Sequence, residues 1–258
     1  MIRPATTPRM RKAGVLGGSF ALLLSALSPA LAQDGEDDAA SAAKAAALTA
    51  LSVTPLRIEV DAATSAETVQ VKNGTANPMA VQIRLFAWSQ KDGEDVYTPS
   101  SDLLVSPSIV SIPADQVQLV RVLRKGAATP GEKRYRLVVD QLPDPANARP
   151  GVAQTRVRFA IPVFVDRDRA APAALAWRLT DSNLELVNKG GATARIVRID
   201  VKSADGRSVE VEQNSLRYVF GESSIAWPIG RGCALGKVHV TAQIDGQAVD
   251  AVPVPACG

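Results

Sequence analysis

The sequence predicts an all-β fold in which two β-sandwich domains follow one another. Short segments that alternate polar and apolar side chains, such as Thr68–Lys72 and Val81–Leu85, are typical of half-buried strands. No stretch after Leu48 keeps a helical period over three turns. Many short strands joined by regular turns favour a sandwich or a barrel. Further strand-like segments are Gln118–Leu123, Arg136–Val139, Arg156–Val165 and Val238–Ile244, and Asn-Gly, Asp-Gly and Pro-Gly turn signals lie between the segments.

A weak internal repeat divides the chain. Val69–Leu85 contains a strand, a turn at Asn73 and a second alternating strand, and Leu184–Ile199 repeats this order around Asn188. We therefore expect two sandwiches of ordinary domain size.

The segment between the repeats sets the expected domain bounds. Residues 166–172 are charged and end in proline, which is typical of a hinge. We expect an N-terminal domain at residues 48–165 and a C-terminal domain at 173–258. Residues 33–47 are acidic and Ala-rich without large apolar side chains, so they are expected to form a flexible leader.

Residues 1–32 are typical of a secretory signal peptide. A basic start is followed by an apolar run from Ala13 to Leu27, and Ala30-Leu31-Ala32 gives the small-x-small pattern that precedes cleavage. The apolar run is shorter than the roughly 20 residues that span a bilayer. We expect an exported protein with no membrane span in its mature form.

The composition is that of a globular protein, with 46% hydrophobic and 21% charged residues, which argues against a disordered or collagen-like chain. The formal net charge is +3, but four of the 29 Lys and Arg residues lie in the predicted signal peptide. The remainder has 25 basic against 26 acidic residues, a net charge of −1. Nucleic-acid-binding proteins usually have a net basic surface, so no nucleic-acid partner is expected.

The two cysteines, Cys233 and Cys257, both lie near the chain end. In an exported protein they predict one structural disulfide that ties the chain end to a nearby strand. Two cysteines and the single histidine, His239, are too few for a zinc site, which needs about four ligands. No metal or cofactor is expected.

The catalytic motifs that we considered are incomplete. Gly221–Ile225 is close to a nucleophile elbow but lacks its second glycine and lies among strands. His239 lies in an alternating strand, where a structural or merely exposed histidine is more common than a catalytic one. The sequence contains no glycine-rich phosphate loop. We expect a binding protein and not an enzyme.

Several segments, taken in their order and spacing, resemble a known family. They are Val53–Val60, Val71–Asn73 with Pro78, Leu104–Pro113, Gln118–Val122, Tyr135–Pro143 and Ile161–Val165. Together they resemble the periplasmic pilus-assembly chaperones, which consist of two immunoglobulin-like domains. The Ile-Pro-Val-Phe-Val form is similar to the archaic branch, whose clients include spore-coat-U-like pilins.

The resemblance implies a function in the periplasm. Such a chaperone binds pilus subunits, stabilises them by donor-strand complementation and delivers them to an outer-membrane usher. The alternative is a secreted structural pilus subunit or an adhesin of β-sandwich fold. The leader at 33–47 is too poor in alternating apolar residues to act as the N-terminal donor segment of a subunit.

The segment Arg156–Val165 is the candidate donor strand. Pro162 cannot donate a ladder hydrogen bond, which suits an edge strand. An unpaired apolar edge could be accepted by a partner that lacks a strand; the alternative is that these side chains only form core. The resemblance implies that Ile161 and Val163 stay in the chaperone's own core. The side chains that it assigns to the client's groove are Ala153, Thr155, Val157 and Phe159.

The resemblance also implies that two cations in the interdomain cleft hold the client's terminal carboxylate. Arg57 matches the arginine of the family's first strand, and an arginine fork suits a carboxylate; a solvated edge charge is the alternative. The better-known branch has Lys where this chain has Pro162, and Arg158 on the same strand face is expected to substitute. The interdomain salt bridge is expected to be altered, with Gln141 in the acidic place and Asp166 in the basic one.

Overall fold

Strands form nearly all of the regular structure in the computed structural model, which describes residues 50–144, 155–212 and 214–258. The predicted signal peptide and leader, within residues 1–49, lie outside the described residues. The prediction of an all-β fold is confirmed. Among the described residues, no helix has both the length and the apolar character needed to cross a membrane.

The N-terminal sandwich is built from two sheets that enclose one core. Its strands are β1 (Leu51–Thr54), β2 (Ile58–Val60), β3 (Ala66–Asn73), β4 (Met79–Lys91), β5 (Glu94–Pro99), β6 (Leu103–Ser106), β7 (Ile109–Ile112), β8 (Val117–Arg124), β9 (Lys133–Gln141) and β10 (Arg158–Val165). One sheet has the order β1-β3-β8-β6 and the other β2-β10-β9-β4-β5, with β7 also paired to β4. Alternate residues of both sheets, including Val71 and Val139, are fully buried between them.

The C-terminal sandwich repeats this architecture. Its strands are β11 (Leu175–Leu179), β12 (Asn183–Asn188), β13 (Ala194–Ser203), β14 (Ser208–Val209), β15 (Arg217–Val219), β16 (Ser223–Pro228), β17 (Val238–Ile244), β18 (Gln247–Ala251) and β19 (Val254–Pro255). One sheet has the order β16-β12-β11-β19 and the other β14-β13-β17-β18, with β15 also paired to β13. Trp227 and Leu186 are among the fully buried residues of its core.

The internal repeat corresponds to two asparagines with the same structural role. Asn73 ends β3, Asn188 ends β12, and both are fully buried. Each Nδ2 donates a 2.8 Å hydrogen bond to the backbone carbonyl four residues later, at Asn77 and Ala192. Each Oδ1 accepts a backbone N–H two residues later, at 2.9 and 3.0 Å. A buried amide therefore organises the turn after the strand in both sandwiches.

The two sandwiches meet at a buried aromatic cluster. Trp88 in β4 and Phe164 in β10 come from the N-terminal sandwich, and Tyr218 and Phe220 come from the C-terminal one. The ring centroid of Trp88 lies 5.0 Å from that of Tyr218 and 4.7 Å from that of Phe220, both in edge-to-face geometry. Such pairs contribute beyond the area they bury, so the cluster stabilises the relative orientation of the domains.

A buried carboxylate also joins the sandwiches. The Glu132 side chain is fully buried just before β9. It accepts hydrogen bonds from Arg167 in the linker and from the backbone N–H (3.1 Å) and hydroxyl of Thr193 in the C-terminal sandwich. Because a buried charge is tolerated only when it is paired and hydrogen-bonded, the contacts of Glu132 with Arg167 and Thr193 stabilise this arrangement of the two domains.

The interdomain salt bridge is expected to be altered at Gln141 and Asp166, and in the described residues neither forms an ion pair with the C-terminal sandwich; the buried ion pair at the junction is that of Glu132 with Arg167. Asp166 adopts a left-handed backbone conformation with φ of 56°, which aspartate tolerates. Its buried carboxylate accepts hydrogen bonds from Arg124 and from the N–H of Thr129 within the N-terminal sandwich. Gln141 instead accepts a 3.2 Å hydrogen bond from the N–H of Val157.

The predicted disulfide between Cys233 and Cys257 is confirmed, with a Cα–Cα distance of 6.0 Å. It joins a 3-10 turn at Cys233–Leu235 to the chain end after β19. Asp181 lies close to both sulfur atoms, but sulfurs in a disulfide are not the thiolate ligands that zinc requires. The bond thus holds the chain end, and with it β19, against β11.

Candidate functional site

One edge of β10 is open over most of the strand. Along its whole length β10 pairs antiparallel with β9, from Arg158 opposite Asp140 to Val165 opposite Lys133. On its other side, β2 pairs in parallel with Val163–Val165 alone. Within the described residues, the segment Arg158–Pro162 therefore has no strand partner on that side. An unpaired edge presents backbone N–H and C=O groups that another chain can pair with.

The side chains of the candidate donor strand change from buried to accessible along it. Ile161 and Val163 are buried in the N-terminal core. Phe159 and Val157 are half-buried and pack against the same core. Thr155 is exposed, and Ala153 lies outside the described residues. The accessible apolar side chains are thus those at the open end of β10, away from the domain junction.

Arg57 lies in the loop between β1 and β2, at the domain junction. Its Cζ atom is 4.7 Å from the centroid of the Phe164 ring. Its Nε donates a 2.6 Å hydrogen bond to Glu59, and its Nη1 is 3.8 Å from the Asp245 carboxylate of the C-terminal sandwich. The side chain is 31% exposed. A cation held against an aromatic face and still open to solvent can bind an incoming anion.

Arg158 lies far from Arg57. It precedes Phe164 by six residues on β10, which is about 20 Å at the rise of a strand. Its side chain is 66% exposed and donates from Nε to Asp140. The structure therefore does not bring Arg57 and Arg158 together, and a single carboxylate cannot contact both.

Arg136 is a cleft cation that the sequence analysis missed. It lies in β9 directly opposite Pro162. Its Cζ atom is 3.6 Å from the centroid of Trp88, and its Nη2 is 3.8 Å from Asp95. Its Nε is buried and has no hydrogen-bond partner in the described part of the chain. The sequence does contain a pattern that indicates this position: along β9, Arg134 and Arg136 alternate with the buried Tyr135, so both arginines lie on the face opposite to the core.

A second charged group lies at the open end of β10. The carboxylate of Asp140 accepts hydrogen bonds from Arg158 and, at 2.6 Å, from Arg84 in β4. Burial acts to raise the pKa of Asp140, but the hydrogen bonds and charges of the two arginines outweigh it, so the pKa lies below the usual range. Asp140 is therefore ionised at neutral pH.

The two candidate catalytic residues of the C-terminal sandwich, Ser223 and His239, are not arranged as a catalytic pair. Ser223 lies in β16 and donates to the Phe220 carbonyl at 3.0 Å. His239 is exposed in β17, which belongs to the other sheet. A nucleophile and its base must lie within hydrogen-bond reach of each other. Ser223 and His239 belong to different sheets, so they do not form such a pair.

Known proteins provide the context for this geometry. The family described as "Pili and flagellar-assembly chaperone, PapD N-terminal domain" matches residues 50–170. The "Probable fimbrial chaperone EcpB" of Escherichia coli strain SMS-3-5 / SECEC is 30% identical over 199 residues, which cover 73% of this chain and 79% of that relative. The chain belongs to the pilus-assembly chaperone family. Another EcpB, from Escherichia coli strain K12 / DH10B, is 29% identical over the same length.

Solved structures support the two-domain immunoglobulin-like fold of this family member. A chain of the CsuC–CsuE chaperone–tip adhesion subunit pre-assembly complex, from archaic chaperone-usher Csu pili of Acinetobacter baumannii, matches with a TM-score of 0.62 and 21% identity over 80% of this chain and 98% of that chain. The Escherichia coli chaperone DraB matches with a TM-score of 0.59 and 22% identity over 78% and 95%. The predicted all-β, two-sandwich fold and the resemblance to pilus chaperones are confirmed.

Proposed function

We propose that this pilus-assembly chaperone acts in the periplasm, binds pilus subunits that lack a strand, and delivers them to an outer-membrane usher. The observation that carries the proposal is the open edge of β10 between Arg158 and Pro162, which ends beside Arg57 at the domain junction. No cofactor or chemical step is required. Spore-coat-U-like pilins are the clients that the archaic resemblance favours.

The client's last strand would add to the open edge of β10. Backbone hydrogen bonds would set its register, and alternate side chains of the chaperone would enter the client's groove. These side chains are Ala153, Thr155, Val157 and Phe159. Val157 and Phe159 support this role because each is only half-buried in the free chaperone.

The client's terminal carboxylate would bind at Arg57. A second cation from Arg136 fits this role better than Arg158, since Arg136 is opposite Pro162 near the junction whereas Arg158 is about 20 Å further along the strand.

A pull-down of the tagged mature protein from the periplasm of its native host tests this function. We expect one small, β-rich secreted subunit to copurify in near-stoichiometric amount, identified by mass spectrometry. A Val157→Glu variant serves as the matched negative sample. Recovery of the mature protein itself in surface fibres, with no copurifying subunit, would instead favour the structural subunit or adhesin.

A further inference from the structure

Two arginines at the open end of β10 form a surface that the function proposed above does not use. We name Arg84 and Arg158 the distal arginine pair. Both donate to the Asp140 carboxylate, yet the Arg158 side chain is 66% exposed and that of Arg84 42% exposed. One carboxylate between two guanidinium groups leaves an excess of one positive charge on this surface.

This surface lies on the path of an added strand. Neighbouring strands are about 4.8 Å apart, so a strand on the free edge of β10 would pass directly beside Arg158. Arg158 and Phe164 lie on the same face of the sheet because they are six positions apart along the strand, an even number. A client side chain level with Arg158, on that face, would come within reach of Arg158, which is the member of the pair nearest to the free edge, since Arg84 lies two strands further away in β4.

Charge complementarity indicates the chemistry of that client side chain. Of the nearest residues on the same face, Gln82, Val138 and Ala160 carry no charge, and Arg156, two residues before Arg158, is a further exposed cation. The net positive charge would therefore favour an acidic side chain and disfavour a basic one. Asp140 acts as a positioning residue, because each of its oxygens holds one arginine in place.

We propose that the distal arginine pair, through Arg158, binds an acidic side chain in the last strand of the client, about six residues before its terminal carboxylate. The proposal rests on the proposed function, because the spacing assumes that the client's chain end is bound at Arg57 beside Phe164. The register of the client strand would then be defined at two points. Arg57 would bind its main-chain terminal carboxylate, and the distal arginine pair would bind a side-chain carboxylate.

The test uses fluorescently labelled peptides of twelve residues that alternate Thr and Val and end in a free carboxylate. The peptides carry Glu, Gln or Lys six residues before the last residue, and a fourth peptide has Glu and an amidated end. Binding to the intact mature protein is followed by fluorescence anisotropy.

The protein variants are Arg158→Glu and Arg158→Gln. Arg198→Glu is the matched control, since Arg198 is an exposed arginine paired with Asp200 on a strand of the C-terminal sandwich. Circular dichroism and thermal unfolding check the fold.

We expect the Glu peptide to bind about fivefold more tightly than the Gln peptide, in line with the upper range of an exposed ion pair. Arg158→Gln should abolish this difference, Arg158→Glu should favour the Lys peptide, and Arg198→Glu should change neither. Equal binding of Glu and Gln peptides, with the amidated peptide still weaker, would overturn this inference and leave the proposed function standing. Failure of every peptide, together with an empty pull-down, would overturn both.

Discussion

The Arg57 guanidinium lies 4.7 Å from the centroid of the Phe164 ring, so a cation before β2 meets the end of β10 at the domain junction. Phe164 itself is fully buried among Trp88, Tyr218 and Phe220. The position of this cation therefore depends on the packing of the two sandwiches against each other.

Replacing Arg57 with Ala should weaken binding of the client subunit. A carboxylate at the junction would lose a charge-assisted hydrogen bond, which contributes about 1.5–3 kcal/mol. Calorimetric titration of the copurifying subunit measures the loss. Arg178→Ala is the control, because Arg178 is an exposed arginine of the C-terminal sandwich. Unchanged affinity in a folded Arg57→Ala protein would remove Arg57 from the site.

Replacing Val157 with Glu should prevent protection of the client. The substitution would place a charge in an apolar groove, which is costly unless the charge is paired. Light scattering of the refolding client, with and without chaperone, measures protection. Val117→Glu is the control, since Val117 is an exposed valine of β8 in the other sheet. If the Val157→Glu protein still suppresses aggregation, the predicted donor register is wrong.

Replacing Glu132 with Ala should strongly destabilise the protein. The change leaves Arg167 and the Thr193 donors without their buried partner, and breaking a buried ion pair costs about 3–5 kcal/mol. Urea denaturation measures the free energy of unfolding. Asp205→Ala, which removes an exposed ion pair with Arg207, should have little effect. Equal stability of the two variants would contradict the role of Glu132 in joining the domains.

The contribution of Asp140 to stability should depend on pH. Its pKa is lower in the folded protein than in the unfolded chain, where aspartate titrates at about 3.9. Its ion pairs therefore stabilise the fold fully above that value, and the stabilisation is lost as the pH falls through the folded-state pKa. Denaturation of the native protein and of Asp140→Asn at pH 7 and pH 3 should show a larger difference at pH 7. A difference that does not change with pH would contradict this ionic role.

The sequence predicted features that depend on local pattern. The alternation of Arg156–Val165, with Pro162 in it, predicted a strand with an open edge, which β10 has over Arg158–Pro162, and the placement of Cys233 and Cys257 predicted the disulfide. Both follow from strand periodicity and from the chemistry of an exported chain. The all-β fold and its two-fold repeat were predictable for the same reason.

Features that depend on register and on domain packing could not be predicted in this way. Arg136 is a cleft residue only because β9 pairs with β10 so that it faces Pro162. Glu132 is an interdomain residue only because Thr193 and Arg167 pack against it. Arg158 was placed on the correct face of β10, but the face alone does not give its distance from Arg57.

The most direct test of the central claim is amide hydrogen exchange of the chaperone, alone and bound to its subunit, measured by NMR. We predict that the amides on the open edge of β10, between Arg158 and Ile161, become strongly protected when the subunit binds, because they gain backbone partners. The edge strands β5 and β18 should keep the exchange rates of the free protein. Protection of β5 or β18 with unchanged exchange in β10 would contradict strand donation by this edge.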